Sequence, residues 1–256
     1  MKILAVGDIV GKTGLQKLKE VLPKVIKENE IDFVIVNGEN AADGMGITEK
    51  MYREILALNV NVVTMGNHTW GKKEIFNFID DKQIIRPANY SKNNPGRGYD
   101  IYECKGKKIA VINLIGRTTM SVLSENPFTV AKEIVSEVKN KVDMIIIDFH
   151  AEATAEKIAL SYYLDGEITI LFGTHTHVQT ADETILEKGT AYITDIGMTG
   201  PAKSVIGMDV GASIKRFETS LPEKYKIAEG KGKFNSCLFE VDDKTNKVTK
   251  ITRINK

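Results

Sequence analysis

The feature of this sequence that most restricts its fold is an alternation of short apolar runs with segments of helical periodicity. The runs at 2–7, 31–37, 60–65, 144–149 and 168–172 have the length and β-branched content of buried strands. Neighbouring parallel strands need a crossover between them, which a helix usually supplies. The first two-thirds of the chain therefore predict a largely parallel α/β core.

The segments between these runs predict helices. The first helix follows the first strand, and Pro23 within it predicts a kink or a break. The second is expected to begin after Thr48, whose hydroxyl can cap it. Further helices are predicted near 72–81, 128–139 and 154–164.

Other regions add antiparallel strands or irregular structure. Residues 99–115 contain two strand-like runs around a turn rich in lysine and glycine, which is typical of a β-hairpin. Further strand-like runs lie at 190–196, 234–241 and 248–254. The glycine-rich segment 197–211 is predicted to be a loop, either the wall of a functional site or a plain surface connection.

Composition and charge exclude several functional classes. The 256 residues carry a net charge of +1, so no stable nucleic-acid partner and no membrane association are expected. No apolar run approaches the roughly 18 residues of a membrane span, and the N-terminal segment lacks a signal-peptide core. Cys104 and Cys237 are isolated, which fits reduced thiols in the cytoplasm. Without a repeat or linker, residues 1–256 are predicted to form a single domain.

Polar side chains follow five of the apolar runs at the predicted strand ends, and they include all four histidines of the chain. In open α/β sheets ligands bind beyond the carboxyl ends of the strands, so these side chains are expected to converge on one edge. Each residue alone has a structural explanation, such as a helix cap, a turn or a satisfied core histidine. Together they favour metal binding. The set comprises Asp8, Glu39, Asn40, Asn67, His68, His150, His175 and His177.

This set is larger than one metal ion needs. It suits two divalent or trivalent ions that share a bridging carboxylate. Two ions roughly 3.5–4 Å apart can hold a phosphoryl oxygen and lower the pKa of a bound water from about 15.7 toward about 7. If the chain is extended, His175 and His177 point into one cleft, whereas Asn67 and His68 point apart and can divide ligation from acid catalysis.

One motif near the first strand imitates a phosphate-binding loop. Gly7-Asp8-Ile9-Val10-Gly11-Lys12-Thr13 has three residues between its glycines, where the phosphate loop has four. An acid would also lie beside the phosphates. We therefore expect Lys12 and Thr13 to be ordinary residues at the start of a helix.

The order of the strand-end motifs resembles that of the calcineurin-like metallophosphoesterases, and more closely that of their bacterial YmdB-like branch. The resemblance spans most of the chain and includes Gly7-Asp8, Gly38-Glu39-Asn40, Gly66-Asn67-His68-Thr69-Trp70, His150, Gly173-Thr174-His175-Thr176-His177 and Asp195-Ile196-Gly197-Met198-Thr199-Gly200. The sequence departs from the general superfamily pattern at three places, and these departures match the YmdB-like branch. Val10 replaces a histidine, Glu39 replaces the bridging aspartate, and Thr69 replaces an acid after the Asn-His pair.

The resemblance implies a fold and a division of roles. The fold is a four-layer α/β/β/α sandwich with two mixed β-sheets, in which the hairpin and the C-terminal strands belong to the second sheet. His68 is the implied proton donor to the leaving group, and Glu39 is the implied bridging ligand. The implied ligands of the first ion are Asp8, Asn40 and His177, and those of the second are Asn67, His150 and His175.

The resemblance also implies hydrolysis of cyclic nucleotides, 2′,3′-cyclic and also 3′,5′-cyclic ones, by a homo-oligomer with two ions of iron (Fe²⁺ or Fe³⁺) or Mn²⁺. The ligand types also admit Zn²⁺. Two alternatives stay open from the sequence. One is a phosphomonoesterase or RNA-directed phosphodiesterase with the same site, and the other is a metal-binding regulatory protein. The number of polar strand ends favours an enzyme, because a structural site needs fewer.

Overall fold

Two six-stranded sheets form the centre of the molecule in a computed structural model that describes residues 1–224 and 226–256. The first sheet contains, in spatial order, β15 (Val248–Asn255), β14 (Asn235–Val241), β1 (Lys2–Val6), β3 (Phe33–Asn37), β4 (Val62–Thr64) and β5 (Ile84–Ile85). The second contains β10 (Thr184–Ile185), β11 (Ala191–Ile193), β9 (Ile170–Thr174), β8 (Met144–His150), β7 (Lys107–Ile115) and β6 (Tyr99–Cys104). A small third sheet joins β13 (Gly232–Lys233), β12 (Met198–Pro201) and β2 (Asp8–Ile9).

Helices follow the strands as the alternation predicts. They are α1 (Gly11–Asn29), α2 (Glu49–Leu56), a 3₁₀ helix (Lys73–Asn77), α3 (Pro127–Val138), α4 (Thr154–Tyr163) and α5 (Val210–Thr219). The predicted cap of α2 is confirmed, because Thr48 Oγ1 accepts a hydrogen bond of 3.3 Å from the backbone N–H of Met51. No helix of the described residues combines the length and apolar character needed to cross a membrane.

The two sheets stack face to face with helices outside both. Alternation along β3 shows the arrangement, since Phe33 and Ile35 pack into the core between the sheets and Val34 and Val36 face the first helical layer. Three apolar cores result: α1 and α2 against the first sheet, the inter-sheet core, and α3 and α4 against the second sheet. Both sheets mix parallel and antiparallel pairs. The four-layer α/β/β/α sandwich is therefore confirmed.

The prediction that the C-terminal strands belong to the second sheet is wrong. The predicted hairpin, β6 with β7, does lie in the second sheet. However, β14 pairs antiparallel with β1, and β15 completes that edge of the first sheet. The apolar pattern marks a run as a strand but does not say which of two exposed edges it will cover.

Two local predictions also need correction. Of the kink or break predicted at Pro23, the break is wrong, because helix α1 continues through this residue, with Leu22 and Val25 buried on either side of it. The burial of its apolar face outweighs the local cost of the proline. Segment 197–211 is not a continuous loop, because it contains β12 and the start of α5.

The matched pair Phe33 and Phe217 tests the inter-sheet core. Phe33 is fully buried between the sheets, whereas the side chain of Phe217 on α5 is 80% exposed. We expect Phe33→Ala to lower the free energy of unfolding by about 3–5 kcal/mol, because it leaves a cavity. Phe217→Ala should change it by no more than about 0.5 kcal/mol. Urea denaturation of both variants measures the difference, and equal losses would contradict this packing.

Candidate metal centre

The predicted site residues lie together where strands of both stacked sheets end. This differs from the expected single edge, because the carboxyl ends of the parallel strands of the two sheets meet at the same end of the sandwich. A hydrogen bond of 3.2 Å from Asn37 Nδ2 to Asp148 Oδ2 joins β3 to β8 there. Asp8 follows β1, Glu39 and Asn40 follow β3, Asn67 and His68 follow β4, His150 ends β8, and His175 and His177 follow β9.

One half of the site surrounds the Nε2 atom of His150. This nitrogen lies 3.0 Å from Glu39 Oε1, 3.0 Å from Asn67 Oδ1 and 3.0 Å from His175 Nδ1. An imidazole nitrogen carries at most one proton, so it cannot donate to all three atoms. Oxygen and nitrogen lone pairs that converge in this way suit a transition-metal ion. We call Asn67, His150 and His175 the His150 group.

The other half of the site surrounds the carboxylate of Asp8. Asp8 Oδ1 lies 3.7 Å from His177 Nε2 and 3.4 Å from Asn40 Nδ2. The Asn40 amide nitrogen also lies 3.1 Å from His177 Nε2. Asn40 therefore presents its N–H groups to the cluster, and a role as a metal ligand requires the amide to turn its oxygen inward. We call Asp8, Asn40 and His177 the Asp8 group.

Glu39 lies between the two groups. Its Oε1 is 3.0 Å from His150 Nε2 and 3.2 Å from Asn40 Nδ2, so a single oxygen contacts both groups. The neighbouring Gly66 has to be a glycine, because a Cβ there would lie 2.5 Å from Glu39 Oε2 and 2.4 Å from His150 Cδ2. The absence of a side chain at Gly66 thus leaves room for the Glu39 carboxylate and the His150 imidazole.

A polar chain beneath the site orients His150. Thr174 Oγ1 donates to Asp148 Oδ1 at 2.6 Å, which uses the single hydroxyl proton. His150 Nδ1, which lies 2.9 Å from the same Oγ1, must therefore be the donor in that contact. This leaves Nε2 of His150 directed at Glu39, Asn67 and His175, as expected for a ligand imidazole supported by its other nitrogen.

The other two imidazoles are held in the same manner. His175 Nε2 lies 3.1 Å from the carboxylate of Glu152, and His177 Nδ1 donates to the backbone carbonyl of Ile206 at 2.8 Å. Each contact occupies one ring nitrogen and leaves the other facing the donor cluster. The three histidines are therefore all fixed in orientations that suit metal ligation.

The charges of the site indicate that it requires positive charge. Burial alone would lower the pKa of His150, but the carboxylates of Glu39, Asp8 and Asp148 together outweigh it and raise that pKa to about 9. Burial, together with the charge of His150, lowers the pKa of His175 to about 3. Burial raises the pKa of Asp148 to about 6. Without a metal, a proton on His150 supplies the positive charge that the buried carboxylates need, and a cation can take its place.

The segment that carries His175 and His177 is a turn and not the extended chain that the sequence predicts. The backbone φ angles of these residues are +98° and +64°, in the positive region that residues other than glycine rarely adopt. Strand β9 ends at Thr174, and the chain turns immediately afterwards. Both imidazoles do reach one site, but they reach it because of this turn and not because of strand alternation.

His68 differs from the other three histidines. Its backbone N–H donates to Glu39 Oε2 at 2.9 Å, which places the residue against the site. In the part of the chain that the structure describes, neither ring nitrogen of His68 has a protein hydrogen-bond partner, whereas the other three rings all do. Asn67, His68 and His175 are partly exposed, and Asp8, Glu39 and His150 are buried. His68 is therefore a partly exposed residue beside the site, and no protein group among the described residues holds its ring.

The sequence analysis did not identify three residues that hold the imidazole rings in place. Asp148 could have been found, because it precedes His150 by two residues and so projects to the same side of β8. Glu152 and the carbonyl of Ile206 have no such signal. The contact between Ile206 and His177 places part of segment 197–211 against the site, while its role as a substrate wall stays a prediction.

Comparisons with known proteins point in one direction. A family model described as "YmdB-like protein" matches residues 4–254. The chain is 50% identical over 255 residues to a 2′,3′-cyclic-nucleotide 2′-phosphodiesterase of Bacillus subtilis (strain 168), covering 99% of this chain and 96% of that protein.

Two solved structures have the same fold over the whole chain. A novel phosphatase from Mycoplasma pneumoniae superposes with a TM-score of 0.95 at 39% identity, covering 100% of this chain and 93% of that one. A hypothetical protein from Thermus thermophilus gives a TM-score of 0.94 at 36% identity, covering 100% of this chain and 99% of that one.

Glu152 provides a test of the imidazole orientation. We expect Glu152→Ala to weaken Mn²⁺ binding by about 10-fold, because His175 loses the carboxylate that orients its ring. This is the low end of the effects measured for residues that support metal ligands, since the Glu152 carboxylate is half exposed. Isothermal titration of the chelator-treated protein measures the affinity. Glu133→Ala, which removes an exposed carboxylate on α3, is the matched control. Equal affinities in the two variants would show that Glu152 does not orient His175.

Proposed function

The chain belongs to the YmdB-like family of metallophosphoesterases, and from this premise we propose that it hydrolyses 2′,3′-cyclic nucleotides at a dinuclear metal centre. The chain is a phosphoric diester hydrolase. The proposal extends this class to the substrate named for the Bacillus subtilis relative. A 3′,5′-cyclic nucleotide is a second candidate substrate of the same site.

The observation that carries the proposal is the contact of Glu39 with both donor groups. The Asp8 group would hold one ion, the His150 group the other, and Glu39 would bridge them. These oxygen and nitrogen donors suit Fe²⁺, Fe³⁺ or Mn²⁺ and admit Zn²⁺. Such ions neutralise charge on the phosphoryl oxygens and lower the pKa of water so that hydroxide forms near neutral pH.

The residues of the chain then divide the remaining work. A water molecule attacks phosphorus and releases one proton to solvent while the bond from phosphorus to the 2′ oxygen breaks. This opens the ring and leaves a nucleoside 3′-phosphate. The departing 2′ oxygen needs a proton, and His68, whose backbone N–H contacts Glu39, would donate it. Its ring has no competing protein partner among the described residues, unlike those of His150, His175 and His177.

Three further expectations stay predictions. They are a single domain over residues 1–256, a cytoplasmic location and a homo-oligomeric assembly. They are independent of the chemistry proposed for the site.

The variant His68→Ala tests the proton-donor role. We expect kcat for a 2′,3′-cyclic nucleotide to fall by about 10²–10⁴-fold, because the leaving oxygen loses its acid, while the metal content stays at the wild-type level. Turnover assays and elemental analysis of the same preparation measure both quantities.

A substrate with a good leaving group is the control for this variant. An aryl diester such as bis(4-nitrophenyl) phosphate releases a stable phenolate and needs little proton donation, so His68→Ala should retain much more activity on it. Wild-type activity of the variant on the cyclic nucleotide would remove His68 from the mechanism. Turnover by the wild-type chain of a phosphomonoester but not of any cyclic diester would contradict the proposed substrate.

A further inference from the structure

A buried ion pair lies directly behind the turn that carries His175 and His177. Lys157 on α4 is fully buried, and its ammonium group donates to Asp195 Oδ2 at 2.9 Å. Asp195 is also fully buried and lies between β11 and β12. Neither residue has a part in the proposed chemistry, so the reason for keeping two charges inside the protein has to be sought elsewhere.

Stability alone does not explain this pair. Removing two charges from water is costly, and replacing a buried pair by apolar side chains of similar volume is often neutral or stabilising. What the pair does supply is polar contact with backbone. The Lys157 ammonium also donates to the carbonyl of Thr174 at 2.8 Å. Asp195 Oδ2 accepts from the backbone N–H of Thr176 at 3.1 Å and from its hydroxyl at 2.8 Å.

These contacts hold the residues on both sides of His175. Thr174 precedes it and Thr176 follows it, and the backbone of each is bonded to one member of the pair. His175 itself has the φ angle of +98°, a conformation that persists only where its surroundings enforce it. The pair therefore contacts the chain at the two points that fix this strained residue.

The strand end that leads into the turn is also closely packed against Thr194 and Lys157. A Cβ on Gly173 would lie 1.8 Å from the carbonyl oxygen of Thr194 and 2.8 Å from Cδ of Lys157, so the strand end is packed directly against the pair. Ile196 donates its backbone N–H to the Gly173 carbonyl at 2.9 Å. Relaxing the turn would move both imidazoles, because one turn carries a member of the His150 group and a member of the Asp8 group.

We propose that Lys157 and Asp195 are positioning residues that brace the His175–His177 turn in its strained form, so that each imidazole reaches its own metal site. This inference rests on the proposed metal centre. It predicts that the pair matters for metal affinity more than for stability, which a purely structural ion pair would not show.

The test replaces both charges at once. In Lys157→Met/Asp195→Leu no unpaired charge is left in the core, so the chelator-treated protein should still unfold cooperatively, with its urea midpoint lowered only by the loss of the hydrogen bonds to the backbone groups of Thr174, Thr176 and Gly197. We expect Mn²⁺ affinity to fall by about 10–100-fold, as for other groups that orient metal ligands. In the metal-free protein, amide hydrogen exchange in peptides covering 174–177 should become at least about 10-fold faster. The reason is that local opening of this turn no longer requires breaking the hydrogen bonds to Lys157 and Asp195.

Two further variants make the test specific. Thr176→Val removes only the hydroxyl contact with Asp195, so it should fold even if the double variant does not, and it should bind Mn²⁺ several-fold more weakly than wild type. Lys132→Met/Glu167→Gln removes another ion pair, between α3 and the segment after α4, and should leave Mn²⁺ affinity unchanged.

The outcomes separate this inference from the proposed function. The brace would be overturned if the double variant had the Mn²⁺ affinity and the amide exchange of wild type. If the double variant does not fold, the same result in Thr176→Val would overturn it. Either result would leave the proposed function intact. A wild-type chain that binds no Mn²⁺ would contradict the proposed metal centre and, with it, the purpose of the brace.

Discussion

Buried negative charge at the meeting point of two sheets is the constraint on which the rest of the structure depends. Asp8 and Glu39 are fully buried, and carboxylates in such a place are stable only beside positive charge. The surrounding imidazoles and amides supply lone pairs as well as protons, and three ligand atoms converge on His150 Nε2 at hydrogen-bond distance. A site of this kind suits a bound cation, and a protonated His150 supplies the positive charge when no cation is bound. The family membership of the chain and the chemistry of the donors lead to the same conclusion by independent routes.

The fold makes this concentration of charge possible by stacking two sheets whose parallel strands end together. The first sheet contributes the carboxylates and amides that follow β1, β3 and β4, and the second contributes the imidazoles at and after β8 and β9. Neither sheet alone supplies all members of either donor group. The apolar core between the sheets therefore has a functional consequence, because it sets the separation at which Glu39 can contact both donor groups. Supporting contacts below the site, from Asp148 through Thr174 to His150, then fix the orientation of the His150 ring.

Sequence reasoning predicted residues that the structure brings together, but it did not predict the geometry that joins them. Polar residues after apolar runs identified Asp8, Glu39 and the histidines, because strand ends are readable from local periodicity. The positive φ angles of His175 and His177 were not readable, since the same residues fit an extended chain and the turn is enforced by distant groups. Glu152 and the Ile206 carbonyl were missed for a related reason, because a partner on a loop and a backbone oxygen leave no pattern in the sequence. The edge taken by β14 and β15 depended on a choice between two sheets that local periodicity does not encode.

The measurement that tests the central claim most directly is the location of metal ions in crystals of the full chain grown with Mn²⁺. Anomalous difference maps recorded on either side of the manganese absorption edge identify both the element and its position. The account predicts two peaks per chain, one beside Asp8 and His177 and the other beside His150 and His175, with Glu39 between them. A single peak, no peak, or peaks remote from Glu39 would contradict it.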